Sequence, residues 1–307
     1  MLSVVIPAYN EEGLILTTAA RIGGILEEAH IPYELIFVDD GSRDGTWDRI
    51  QEAAQTNGRV RGVSFSRNFG KEAAIFAGLE ASVGKCCAVI DCDLQHPPEK
   101  LVDMYRLWQD GWEVVHGVKN SRGKESAARG LAAKCFYKLM SRAAKFDMNR
   151  ASDFKLMDRK VVDTLLELSE RNTFFRALVG WAGYKSTEVE FAVEERTQGK
   201  THWSTFSLFR YAIANIASYS SAPMQIVTIL GVVTLVSSAV LTVQTLVRWA
   251  MGNSASGFTT VIILLLFIGS ILMISLGIIG YYISQIYMEI KRRPRYLVAQ
   301  TCGDSKT

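Results

Sequence analysis

A chain of 307 residues, 49% of them hydrophobic, is long enough to build one well-packed domain and something beside it. Its formal net charge of +3 arises from 34 basic and 31 acidic side chains scattered along the sequence, which excludes the massed basic face of a nucleic-acid binder. Five cysteines (Cys86, Cys87, Cys92, Cys135 and Cys302) form neither a C-x-x-C pair nor an even framework, and read as reduced thiols of a cytosolic compartment.

The opening MLSVVIPAYNEE has no basic n-region and no cleavage site, so no signal peptide is expected. From there strand and helix signals alternate. Ser3–Pro7, Glu34–Asp39, Arg61–Ser66, Cys86–Asp91 and Glu113–Gly117 read as short strands. Between them, Glu12–His30, Thr46–Gln55, Glu72–Ser82 and Glu99–Asp110 have helical spacing. The alternation predicts an α/β fold, a mainly parallel sheet with helices on both faces. Ligands of such sheets bind beyond the carboxyl ends of the strands. The polar clusters Pro7–Glu11, Asp39–Asp44, Arg67–Lys71 and Asp91–Gln95 all fall at that edge.

The stretch VIDCDLQHPPE is the most telling of these. The apolar run Cys86–Ile90 delivers Asp91 and Asp93 to a strand end. Two carboxylates one residue apart, followed by Gln95, offer the oxygen ligands that Mg²⁺ or Mn²⁺ favours and shares with substrate phosphates. The same residues also suit a polar turn capping the helix begun by Pro97, Pro98 and Glu99. His96 raises zinc, but the oxygen-rich set and the following proline favour Mg²⁺ or Mn²⁺. Asp39-Asp40-Gly41-Ser42, with Asp44, Gly45 and Thr46, makes a tight turn whose side chains can accept from a base or ribose and cap a helix. There is no G-x-G-x-x-G after the first strand, no P-loop and no G-x-S-x-G.

Further on, Lys119–Arg129 reads as a basic loop and Thr187–Arg196 as a half-exposed strand. Ser204–Ala222 reads either as an amphipathic helix in the headgroup layer or as a plain connector. Gln225–Val247 and Phe258–Met288 contain no charged residue, and each is long enough to span a bilayer, with spans at about 225–248 and 259–285. The cluster KRRPR, Lys291–Arg295, keeps its side cytoplasmic, so the connector Ala250–Gly257 faces out and the first part of the chain faces the cytoplasm; Arg248 reaches the interface by snorkelling. The expected division is a catalytic domain 1–203, an interfacial helix 204–222, two transmembrane helices within 223–290 and a cytoplasmic tail 291–307.

In this order SVVIPAYNEE, DDGSRDGT, FSRNFGKEAA and DCDLQHPPE resemble the family 2 glycosyltransferases, whose GT-A fold is a Rossmann-like, mainly parallel sheet. SDFKLMDRKVVD, ERTQGKTHWS and the paired spans narrow the resemblance to bacterial polyprenyl-phosphate glycosyltransferases, relatives of dolichyl-phosphate mannose synthase and of the bactoprenol glucosyltransferases. The resemblance implies an inverting, metal-dependent hexosyl transfer from a nucleotide-sugar to undecaprenyl or another polyprenyl phosphate. UDP-glucose leads as donor, ahead of UDP-N-acetylglucosamine and GDP-mannose. The setting is the cytoplasmic face of the bacterial inner membrane, and the product feeds cell-surface glycosylation. A diacylglycerol or a polysaccharide is the alternative acceptor.

By the same resemblance Pro7, Tyr9, Glu11, Asp39 and Asp40 line the nucleotide pocket, with Lys71 and Asp91 beside them. Asp91, Asp93 and Gln95 hold Mg²⁺ or Mn²⁺ and the diphosphate, and Asp93 and Asp153 are the catalytic acids. Arg122 and Arg129 meet the lipid phosphate, with Arg196 and Lys200 as further phosphate contacts. A phosphate monoester is largely dianionic at neutral pH and scarcely needs a base, so Asp153 is read as an orienting group. His202 stands where relatives carry lysine, which makes a phosphate contact there pH-dependent. Gln244–Trp249 resembles the Q-x-x-R-W motif of processive synthases but has one residue too many, and is read as the interface end of a span. Gly277 and Gly280 in the second span suggest a homo-oligomer.

Overall fold

The computed structural model describes residues 1–119, 152–168, 174–191, 222–251 and 257–303. The chain divides into two units, Met1–Ala212 with Pro294–Thr307, and Ile213–Arg293. In the first unit the described strands are β1 (Leu2–Ala8), β2 (Tyr33–Asp39), β3 (Val60–Phe65), β4 (Cys86–Val89), β5 (Val114–Lys119), β6 (Lys155–Asp158), β7 (Ser186–Phe191) and β8 (Val298–Cys302). Its helices are α1 (Ile15–Glu28), α2 (Thr46–Thr56), α3 (Lys71–Ala81), α4 (Lys100–Gln109), α5 (Arg159–Glu167) and α6 (Phe175–Trp181). The strands form one sheet in the order β7-β5-β6-β4-β1-β2-β3-β8.

The block β4-β1-β2-β3 is parallel throughout, as the alternation of strand and helix predicts. β6 enters antiparallel between β4 and β5, β7 runs parallel to β5, and β8 closes the far edge antiparallel to β3. β1 and β2 are buried almost along their whole length, the pattern of strands covered on both faces. Side chains alternate between those faces. Leu35 and Phe37 point with Val4 and Ile6 toward the apolar stripe Ile15, Ala19, Ile22 and Leu26 of α1. Ile36 and Val38 point the other way, onto Ala73, Ala74 and Ala77 of α3. The strands therefore end in a fixed register, and their carboxyl ends form one rim.

The segment that follows the membrane-type helices, expected to be a tail, contributes to this sheet. β8 pairs Gly62 with Cys302 and Ser64 with Gln300. The Trp47 indole N–H donates to Gln300 Oε1 at 2.6 Å, Tyr296 stacks on Phe65 at 4.9 Å, and the Arg295 guanidinium lies 4.5 Å over Phe76.

The second unit holds α7 (Ala222–Ala250, 29 residues) and α8 (Phe258–Ile290, 33 residues). At 1.5 Å per residue these are roughly 43 and 50 Å long. Both are long and apolar enough to cross a membrane, and among the described residues of their apolar windows, Val227–Arg248 and Phe267–Ile290, none is buried. Leu235, Leu265 and Met273 are among the exposed apolar side chains, the reverse of a helix in a soluble core. Residues 204–221, read as an interfacial helix, lie outside the described residues.

Candidate active site

The loops after β1 and β2 are stapled to one another. Asn10, held in the left-handed region at φ 55°, donates its backbone N–H to Ser42 Oγ and accepts from the Arg43 N–H, both at 2.9 Å. Glu11 N–H donates to Thr46 Oγ1 at 2.9 Å and Gly45 N–H to Glu12 Oε2 at 3.1 Å. Asp40 accepts from the N–H groups of Phe69 (2.6 Å) and Gly70 (2.9 Å), which folds the loop after β3 over the same rim. Burial raises the Asp40 pKa and the Asp39 charge adds to it, while those two donors oppose the rise. Gly41, at φ +65°, passes so close to this loop that a Cβ would stand 2.3 Å from the Arg67 carbonyl carbon. Only glycine fits there.

These loops enclose a cavity of about 350 Å³. Of the residues expected at the nucleotide, Pro7, Tyr9, Glu11 and Asp40 line it, and so do Lys71, Asp91 and Asp93. Tyr9 is 44% exposed. Asp39, expected in the same pocket, lies behind it: it is buried, and its carboxylate accepts from Ser42 N–H (3.0 Å) and Ser64 Oγ–H (2.8 Å). Gln95 is not on the wall; its N–H donates to Asp93 Oδ1 at 3.1 Å and closes a turn in which Leu94 has φ 55°.

The Lys71 ammonium bridges two carboxylates, 2.6 Å from Asp91 Oδ1 and 2.8 Å from Asp153 Oδ2. Asp153 also takes a two-pronged contact from Arg176, whose Nε and Nη2 lie 2.6 and 2.8 Å from its two oxygens. Among the described residues no group of three His, Cys, Asp or Glu is placed to hold a metal. His96 is an aromatic wall, stacked on Phe154 at 5.2 Å and set edge-on to Phe191 at 5.3 Å, with Nδ1 3.9 Å from Asp91 Oδ2. This set does not suit zinc. Two carboxylates from one turn at an open cavity, one already facing a cation, fit an oxygen-seeking divalent ion that completes its coordination with ligand phosphates and water.

The sequence model of glycosyl transferase family 2 matches residues 3–166, more than half of the chain. The chain belongs to that family. It is 38% identical to an uncharacterized glycosyltransferase of Synechocystis sp., over 98% of this chain and 96% of the relative. It is 34% identical to the prophage bactoprenol glucosyl transferase homolog of Escherichia coli K12, over 97% of this chain and 98% of the relative. Among solved structures it resembles glucosyl-3-phosphoglycerate synthase of Mycobacterium tuberculosis, crystallised with Mn²⁺, UDP and glucosyl-3-phosphoglycerate. The TM-score is 0.51 at 21% identity, over 71% of this chain and 79% of that one, a likeness of fold that identifies the sheet as GT-A.

Behind the cavity this glycosyltransferase carries a largely buried cluster of charged side chains, in which the sequence had marked Asp153 and Lys71 and had given Glu72, Lys155 and Arg176 no role. Burial would raise the Asp153 pKa, but the hydrogen bonds from Arg176 and the charges of Lys71 and Arg176 hold it well below the usual carboxylate range. Burial likewise pulls on Lys71 downward, and Asp91 and Asp153 outweigh it, so the ammonium stays charged. Glu72 accepts from the Phe175 N–H at 2.9 Å and so fixes the start of α6 and the place of Arg176. Burial, with the Asp153 charge adding, pushes Glu72 up to about 7. Lys155 is fully buried on β6, its Nζ 5.6 Å over the Phe175 ring and without a hydrogen-bond partner among the described residues. Burial pushes it down to about 7, and burial and Lys155 together push His116 down to about 3. Neither Lys155, which reads as a surface residue, nor Arg176, in NTFFRALVG, offered a signal in the sequence. The phosphate candidates Arg122, Arg129, Arg196 and Lys200, and also His202, lie outside the described residues.

Proposed function

We propose that this glycosyltransferase moves a sugar from a nucleotide-sugar, UDP-glucose before UDP-N-acetylglucosamine or GDP-mannose, to undecaprenyl or another polyprenyl phosphate. The transfer inverts the anomeric centre and takes place at the cytoplasmic face of the bacterial inner membrane. The observation that carries this reading is the cavity at the strand ends, where Tyr9, Glu11, Asp40, Lys71, Asp91 and Asp93 converge. The bactoprenol names of full-length relatives support the acceptor.

Tyr9 offers its ring face to the base, and Glu11 and Asp40 stand as acceptors for base and ribose donors. Asp91 and Asp93 would hold Mg²⁺ or Mn²⁺, with Gln95 shaping their turn. The ion, when bound, offsets charge developing on the departing diphosphate. Asp153, kept ionised by Lys71 and Arg176, is a weak proton acceptor and serves to orient the sugar or acceptor. Its nucleophile is an already ionised phosphate that needs no base. Arg122, Arg129, Arg196 and Lys200 are proposed to grip that phosphate.

Connectivity supports a two-pass arrangement. The chain leaves the catalytic unit before α7 and rejoins its sheet as β8, so helices that cross a membrane must do so an even number of times. The basic cluster Lys291–Arg295 supports a cytoplasmic catalytic unit. Residues 204–222 are proposed to lie in the headgroup layer, confining catalysis to the surface where the lipid phosphate is held.

The test is incubation of the purified full-length protein with labelled nucleotide-sugars and undecaprenyl phosphate. The reading expects label in a lipid from which mild acid releases the sugar. An acid-stable glycosyl-diacylglycerol would instead select the alternative acceptor.

A further inference from the structure

Lys71 is placed as a counter-ion as much as a ligand. Its ammonium covers Asp91 Oδ1 at 2.6 Å, while His96 Nδ1 stands 3.9 Å from Oδ2, beyond hydrogen-bond range. Asp153, the other carboxylate it touches, has a second strong partner in Arg176 and does not depend on the lysine alone. The lysine side chain is 43% exposed, which leaves it room to swing without disturbing the core.

We propose that Lys71 and the divalent cation compete for Asp91, so that loading the metal displaces the ammonium from Asp91 and turns it, still tethered to Asp153, toward the incoming phosphate. The inference rests on reading Asp91 and Asp93 as the metal ligands. A dication and an ammonium on the same carboxylate repel at close range, and the ammonium has an alternative anchor. Exchange at Asp91 would therefore make metal binding and a phosphate-binding ammonium two outcomes of one event. By linkage each strengthens the other.

The test is the Mn²⁺ affinity of the purified full-length protein, read from the free-Mn²⁺ electron paramagnetic resonance signal with and without UDP. Lys71→Met and Lys71→Gln are expected to bind Mn²⁺ about tenfold tighter than the wild type. Asp153→Asn, which leaves Asp91 as the remaining carboxylate partner of the lysine, is expected to bind it more weakly. In the wild type, acylation of Lys71 by an amine reagent, quantified by mass spectrometry, is expected to speed up when Mn²⁺ is added. Mn²⁺ binding that requires Asp93 but is unchanged or weakened by both lysine substitutions would overturn the competition and leave the metal reading intact. No Mn²⁺ binding by any form, with UDP present, would overturn both.

Discussion

At the cavity edge Asp91 and Asp93 reach an open space from a single turn, whereas Asp153 and Lys155 at the start of β6, Glu72 of α3 and Arg176 of α6 come together in a largely buried layer behind it. The edge carboxylates stay accessible, so they can exchange a lysine for a metal or a ligand. Inside, Asp153 and Arg176 are locked to each other and Glu72 is tied to the Phe175 N–H, where an ion left alone would be expensive. One region is built for exchange and the other for permanence, and Lys71 joins them.

The largest effect that separates the two regions is expected at the edge. Asp93→Ala should cut sugar transfer by about 10³-fold or more while the protein still purifies folded from membranes. Full activity of the wild type in EDTA would remove the metal from the account. Inside, Asp153→Asn should cost about 10²-fold in kcat, because it loosens the orientation of sugar or acceptor, and should also raise the donor KM through the weaker Mn²⁺ binding expected of the same variant. Arg176→Gln should cost about tenfold in kcat, be partly restored by Arg176→Lys, and add little on top of Asp153→Asn, since the two act as a pair.

Lys155 sharpens the contrast through pH. Its folded pKa is depressed to about 7, below the unfolded value near 10.4, so between these values the unfolded chain binds more protons and stability rises with pH. Lys155→Met should therefore gain more over the wild type at pH 6 than at pH 9, by on the order of 2 kcal/mol, as read from thermal unfolding in detergent. The smallest effect belongs to the far sheet edge: Gln300→Ala, which loses the Trp47 contact, should cost about 1 kcal/mol of stability and leave activity per folded molecule unchanged.

The same contrast governs what could be read from the sequence. β1 to β4 were legible because each is an apolar run bounded by Asp, Gly or Pro, and the observed ends differ from the expected ones by a residue or two. The polar clusters at their ends were legible for the same reason. Which of two adjacent aspartates faces the cavity was not: Asp39 and Asp40 differ by one position at a strand end, and Asp39 is taken up by Ser42 and Ser64. β6 was hidden because Lys155 reads as a surface residue, and its burial depends on Phe175, Glu72 and Asp153. β8 was hidden because VAQTC is short and pairs with a strand more than two hundred residues earlier.

Service of the edge carboxylates in sugar transfer to a lipid phosphate is what joins the site to the membrane. Its most direct test is mass spectrometry of the lipid made by purified full-length protein from UDP-glucose and undecaprenyl phosphate, with Asp93→Ala alongside. The expected product is undecaprenyl phosphate carrying one hexosyl unit, formed by the wild type and absent with the variant. Equal product from both, or a hexosyl unit found only on a lipid without phosphate, would contradict it.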